Sequence, residues 1–134
     1  MKAKELATPL KRVQILYSDF TLDEAIKKMD KSHYSMIPVI ERNSGRYLYS
    51  VSAGDILRRV VADGDIAKTL KEPLSSLRID RLVPSCNEDV DVTELYEFAI
   101  NQNYIPLVDS TGTFRGILTR RSLLAYLIPN NEGE

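Results

Sequence analysis

The sequence predicts an α+β fold of two β-α-β-β-α repeats related by pseudo-two-fold symmetry, and three observations carry that prediction. Tyr34-Ser35-Met36-Ile37-Pro38-Val39-Ile40 returns as Asn103-Tyr104-Ile105-Pro106-Leu107-Val108, with Pro38 and Pro106 68 positions apart. Ile56, Leu57, Val60 and Val61 return as Leu123, Leu124, Leu127 and Ile128 at a spacing of 67. The one-residue difference falls in the turn between the two segments, where hairpins tolerate a change of length. A duplicated supersecondary unit implies matching clefts where the copies meet, so differences between the copies can be read as chemistry.

Residues 1–9 read as a lead-in helix or arm ending at Pro9, and Val13 to Leu16 as a strand. From Thr21 the pattern turns helical, because Leu22, Ala25, Ile26 and Met29 fall at i, i+3, i+4 and i+7. Thr21 with Glu24 is a capping-box pattern. Met36–Ile40 and Arg46–Val51 make a strand pair around Asn43-Ser44-Gly45, and Asp55–Ala62 is a helix that stops near Gly64. In the joining stretch, Ile66–Leu70 and Pro73–Leu77 suggest short helical turns, and Leu82-Val83 is a strand candidate. The second copy runs through a helix over Val92–Gln102, strands Ile105–Val108 and Thr113–Leu118, and a helix over Ser122–Ile128. The expected division is residues 1–70 for the first repeat with its arm and linker, 71–128 for the second, and 129–134 for a flexible tail.

Composition narrows the function. At 134 residues the chain is one domain in size, with 18 Lys and Arg against 19 Asp and Glu. That balance carries no basic stripe for nucleic acid, and no apolar run is long enough to span a bilayer. The start of the chain lacks the apolar stretch of a secretory signal, and Cys86 is the only cysteine, so a cytoplasmic protein without disulfides is expected. His33 is the only histidine and has no partnered cysteine or second histidine. With no zinc-ligand spacing and no Gly-rich phosphate loop, the chain is expected not to be an enzyme and to hold no catalytic cofactor or metal. The acidic run Glu88-Asp89-x-Asp91 flanks a helix start and reads as solvated.

An apolar-Pro strand, a turn, a second strand and a Ser/Thr-x-x-Asp leading into an apolar helix resemble the CBS domain. Val51-Ser52-Ala53-Gly54-Asp55-Ile56-Leu57 carries the signature closely. Gly116-Ile117-Leu118-Thr119-Arg120-Arg121-Ser122-Leu123-Leu124 carries it with Ser122 in place of Asp. The resemblance covers about residues 2 to 128 and looks like a stand-alone CBS pair, or Bateman module. It implies that an adenosine-containing ligand such as AMP, ADP, ATP or S-adenosylmethionine binds between the repeats. It also implies a homodimer and an unidentified protein that reads the bound state. Thr119-Arg120-Arg121 in addition resembles the matching segment of bacterial CBS proteins that bind cyclic di-AMP.

The residue types suit that ligand on their own chemistry. Ser52 and Thr119 stand at strand-to-helix junctions, where a hydroxyl either caps the helix or joins its free N–H groups on a phosphate. Asp55 is placed to accept from a ribose diol, or simply to compensate the helix dipole. In the second copy Ser122 loses the diol acceptor, while Arg120 and Arg121 add guanidinium groups suited to phosphate. Adjacent helical residues point about 100° apart, so one of the two arginines is expected to reach a given cleft. Tyr34, Met36 and Pro38 with Tyr104 and Pro106 are the candidate lining for the base, the tyrosines having a core reading as well. Tyr49 stands where the second copy has Gly116, so its ring is expected to crowd the first site. The alternative function is a ligand-free dimerisation or protein-interaction module.

Overall fold

Residues 1–30 and 35–128 are described by the structure, a computed structural model. In chain order they form α1 (Ala3–Leu6), β1 (Thr8–Pro9), β2 (Leu16–Tyr17), α2 (Leu22–Met29), β3 (Met36–Ile40), β4 (Tyr47–Ser52), α3 (Ala53–Asp63) and α4 (Ile66–Thr69). They continue with β5 (Cys86–Asn87), α5 (Tyr96–Asn101), β6 (Tyr104–Val108), β7 (Phe114–Thr119) and α6 (Arg120–Leu127). Short 3-10 turns at Leu10–Arg12, Leu74–Ser76 and Val92–Leu95 join them. The chain divides into two compact units, Gln14–Val83 and Met1–Val13 together with the chain from Pro84 onward. Tyr34, His33 and the tail 129–134 lie outside the described residues.

Within Gln14–Val83 the local signals are realised almost as written. Thr21 Oγ1 accepts the Glu24 N–H at 3.1 Å and Glu24 Oε1 accepts the Thr21 N–H at 3.0 Å, closing the capping box. Helix α2 then buries Leu22 and Ala25. The sheet order is β2-β3-β4, with β2 parallel and β4 antiparallel to β3. Pro38 sits on this central strand without breaking it, because the parallel partner begins only at Val39 and asks for no N–H from the proline. Helix α3 ends where Gly64 takes φ 73°, the left-handed stop that glycine adopts without a Cβ penalty. Leu16, Leu22, Ile37, Val39, Val51, Ile56 and Leu74 make the core of this unit.

The other unit repeats the layout. β5 lies parallel to β6 at Cys86↔Leu107 and Asn87↔Val108, again one step beyond a proline, here Pro106. β6 and β7 are antiparallel, and Val92, Leu95, Ile105, Leu107, Leu118 and Leu123 join Ala3 in the core. The helix expected over Val92–Gln102 is split, a 3-10 turn at Val92–Leu95 preceding α5. Cys86 is buried in this core, and burial raises its thiol pKa, so it is an inert packing residue.

The N-terminal arm, expected to belong with the first repeat, pairs with the sheet of the second. β1 extends that sheet to β1-β7-β6-β5, with Thr8 opposite Ile117 and Pro9 opposite Gly116. The strand expected at Leu82-Val83 does not form. A Cβ on Gly116 would lie 2.3 Å from the Thr8 carbonyl oxygen, so only glycine admits a strand there. Tyr49 holds the equivalent position, opposite Val39 as Gly116 is opposite Leu107, and β4 remains an edge strand. In residues 77–83, Leu77 and Ile79 pack on the core of their unit and the Tyr47 hydroxyl donates to the Val83 carbonyl at 2.7 Å.

Acid should release the arm first. The Ala3 and Lys4 N–H groups bond the carbonyls of Val90 and Glu88, and Lys4 Nζ pairs with Asp89 at 2.9 Å. Asp91 is held down to about pKa 2 by the Thr93 N–H and hydroxyl and by the terminal ammonium, and Lys4 lowers Asp89. Because these folded-state values are depressed, their stabilisation is present above the ordinary carboxylate value of about 4 and fades as pH falls toward 2. Amide protection at Ala3 and Lys4 is therefore expected to fall between about pH 5 and pH 2.5, before that of β6 and β7. Loss of protection in all three together would contradict this.

Candidate functional site

The strand register assembles the first set of candidate residues. Met36 lies directly opposite Ser52 and Pro38 opposite Ser50, so the β3–β4 pair delivers them to the start of α3. Ser52 is the N-cap, its Oγ accepting the Asp55 N–H at 3.3 Å, while Asp55 Oδ2 accepts the Ser52 N–H at 2.8 Å. The Ser-x-x-Asp spacing thus closes a reciprocal cap, which holds the carboxylate against the first helical turn.

Two arginines that the sequence analysis did not select complete the cluster. Arg58 Nη2 donates to Asp55 Oδ1 at 2.5 Å, and Arg81 Nη2 reaches Asp55 Oδ2 at 3.4 Å. The Asp55 side chain is only 6% exposed, whereas those of Arg58 and Arg81 are 69% and 50% exposed. Arg58 was accessible to sequence reasoning as the i+3 neighbour of Asp55. Arg81 carries no local signal, because it lies 26 residues on from Asp55.

The second set is assembled the same way and equipped differently. Tyr104 lies opposite Thr119 and Pro106 opposite Ile117. Thr119 caps α6 by accepting the Ser122 N–H at 3.1 Å and donates its hydroxyl to Ser122 Oγ at 3.0 Å. Arg120 folds back on α5, donating to the carbonyls of Ala99 and Ile100 at 2.6 and 3.0 Å and to Asn103 Oδ1 at 3.2 Å. Those carbonyls belong to a helix end that has no intrahelical donors for them, so its guanidinium is occupied as a C-terminal cap. Arg121 is exposed and makes no ion pair among the described residues. Tyr104 is buried, in keeping with its core reading, and the Tyr49 hydroxyl donates to the Leu74 carbonyl at 3.3 Å.

No cluster of metal-ligating side chains occurs among the described residues, and no helix there is long and apolar enough to cross a membrane. The CBS domain family model matches residues 3–62 and 75–129, most of the chain and in two copies. The chain belongs to the CBS domain family. No curated protein matches its sequence. Among solved structures, CbpB in complex with cyclic di-AMP superposes with a TM-score of 0.84 at 19% identity, covering 95% of this chain and 84% of that one. CBSX2 in complex with AMP gives a TM-score of 0.72 at 18% identity, with 93% and 94% covered. The CBS domain of a bacterial CNNM/CorC family Mg2+ transporter in complex with ATP gives 0.73 at 19% identity, with 92% and 84% covered. These likenesses establish the tandem CBS fold. The two CBS repeats of this chain share the capped strand-to-helix junction and differ in what surrounds it: a carboxylate with two arginines in one, a hydroxyl pair in the other.

Proposed function

We propose that this CBS chain is a regulatory module that binds an adenine nucleotide, with the junction of β4 and α3 as the ribose-binding half of its site. The observation that carries the reading is Asp55, a nearly buried carboxylate fixed at a helix start, with cationic side chains beside it. A carboxylate so placed accepts two hydroxyls at once, as a ribose diol requires. Ser52, Met36 and Pro38 are the surrounding residues in this proposal. At the second junction Thr119 and Arg121 are the remaining candidates for phosphate, since Arg120 bonds the carbonyls of α5 and Tyr104 is buried. AMP, ADP, ATP and cyclic di-AMP are the candidate ligands. Structures of the same fold solved with cyclic di-AMP, AMP and ATP support that class.

The nucleotide would act by binding one pose of the chain better than another, with a separate cytoplasmic protein reading the difference. A homodimer is part of the proposal. In Gln14–Val83 an apolar groove of about 560 Å3 runs between α2 and α3, lined by Ile26, Met29, Ile56, Leu57 and Val60. Its counterpart of about 240 Å3 lies between α5 and α6, beside Ile100, Leu124 and Leu127. Exposed apolar faces of this kind are where a second copy would pack.

A thermal-shift panel of AMP, ADP, ATP, cyclic di-AMP, S-adenosylmethionine and NAD tests the reading. Ligand at 100 times its Kd adds about 2.7 kcal/mol of stability, enough to raise Tm by several degrees. A rise with at least one adenine nucleotide is expected. No rise with any of them favours the ligand-free interaction module.

A further inference from the structure

We infer that Arg58 and Arg81 are counter-ions that a phosphorylated nucleoside must draw off Asp55, so that the cluster selects nucleotides over nucleosides. The inference rests on the proposed ribose role of Asp55 and goes beyond it by naming what occupies the carboxylate beforehand and what the ligand gives in exchange.

The geometry is particular to this repeat. Asp55 Oδ1 takes Arg58, and Oδ2 takes both the Ser52 N–H and Arg81. Three of the roughly four acceptor positions of the carboxylate are therefore taken, and a diol, which needs two, is met only if a guanidinium leaves. The Ser52 N–H is a fixed backbone group, but both guanidiniums are at the ends of long side chains that stand half or more in solvent. They can turn away without disturbing the helix or the strand. Doing so strips a nearly buried carboxylate of its counter-ions, which is unfavourable unless another partner takes each vacated place. A ribose diol fills the place at Asp55. Only a phosphate fills the second, by accepting forked, charge-assisted bonds from the displaced guanidiniums. Adenosine offers the first and lacks the second. The local charge agrees: one carboxylate with two guanidiniums leaves a surplus positive charge that an anionic ligand neutralises.

Arg81 has the further property of lying outside the helix it neutralises. It belongs to residues 77–83, whose Leu77 and Ile79 pack on the core and whose Val83 carbonyl is held by Tyr47. Its backbone is thus anchored on both sides while its side chain is free to swing. An anchored backbone with a swinging cation is what an exchange of partners needs.

The test is a calorimetric comparison of adenosine and AMP binding to the full chain and to Arg81→Ala, with Arg58→Ala as the second variant because it lies on an exposed helix face. In the native chain AMP is expected to bind at least tenfold more tightly than adenosine. Arg81→Ala should strengthen adenosine binding about threefold, since the competent state no longer requires displacement, and should weaken AMP, lowering the AMP-to-adenosine ratio tenfold or more. Arg58→Ala should lower that ratio in the same direction. An unchanged ratio in both variants, with binding intact, overturns the exchange while leaving the ribose role of Asp55 standing. Absence of binding by the native chain to either compound, with Asp55→Ala equally silent, would overturn the ribose role itself and the exchange with it.

Discussion

Asp55→Ala should lower adenine-nucleotide affinity by tenfold to a hundredfold, whereas Ser122→Ala should leave it within about twofold. The expectation follows from what each side chain presents. Asp55 is an ionised acceptor held by Ser52 at the start of α3, and hydrogen bonds to a charged group contribute about 1.5–3 kcal/mol each. Each 1.4 kcal/mol is tenfold in Kd. Ser122 offers only a neutral hydroxyl, and Thr119 already donates to it. Alanine at 55 also leaves the Ser52 N–H without its partner, at a stability cost of about 1–3 kcal/mol. Asp55→Asn separates the two effects: it retains an acceptor for Ser52 but loses the charge, so it should restore much of the stability without the affinity. Equal losses of affinity from the Asp55 and Ser122 variants would show that the two repeats are not specialised as described.

The largest effect on the fold is expected from Gly116→Val. Thr8 and Pro9 lie across this residue, and the approach is so close that the first side-chain carbon would sit 2.3 Å from the Thr8 carbonyl oxygen. Neither contact is the end of a flexible side chain, so the clash is relieved only by moving β1. Forced overpacking costs about 1–3 kcal/mol, and displacing β1 also uncovers Ala3, which is fully buried in the core of its unit. A fall in Tm of roughly 3–10 °C follows from those energies, with lost amide protection at Lys4 and Ala3. Nucleotide affinity at Asp55 should be unchanged, because β1 and Asp55 belong to different compact units. A variant with native Tm would mean that the arm does not depend on the missing Cβ.

These two residues also mark how far the sequence could be read. The duplicated strands, the capping box at Thr21 and the helix stop at Gly64 were all legible, because each is a local pattern whose partners lie within a few residues. The substitution of Tyr49 for Gly116 was visible too. What the sequence does not disclose is the pairing at Gly116 itself, where the sheet of the second repeat gains β1 from the opposite end of the chain. Such long-range pairing leaves no local signal.

The arginines show the same limit. The position of Arg120 beside Thr119 suggests phosphate, yet its guanidinium caps α5 about 20 residues earlier through bonds to Ala99 and Ile100. Arg81, between Asp80 and Leu82, has no motif around it and reaches across the unit to Asp55. Long flexible side chains have a reach that sequence proximity does not constrain. The short, stiff acceptors Ser52, Asp55 and Thr119 were placed correctly at their junctions because capping geometry leaves them little choice.

A crystal structure of the chain grown with AMP tests the central claim most directly. The expected result is ribose hydroxyls within about 2.6–3.2 Å of the Asp55 carboxylate, with Arg58 or Arg81 turned onto the phosphate. AMP bound away from α3, with both arginines still on Asp55, would contradict it.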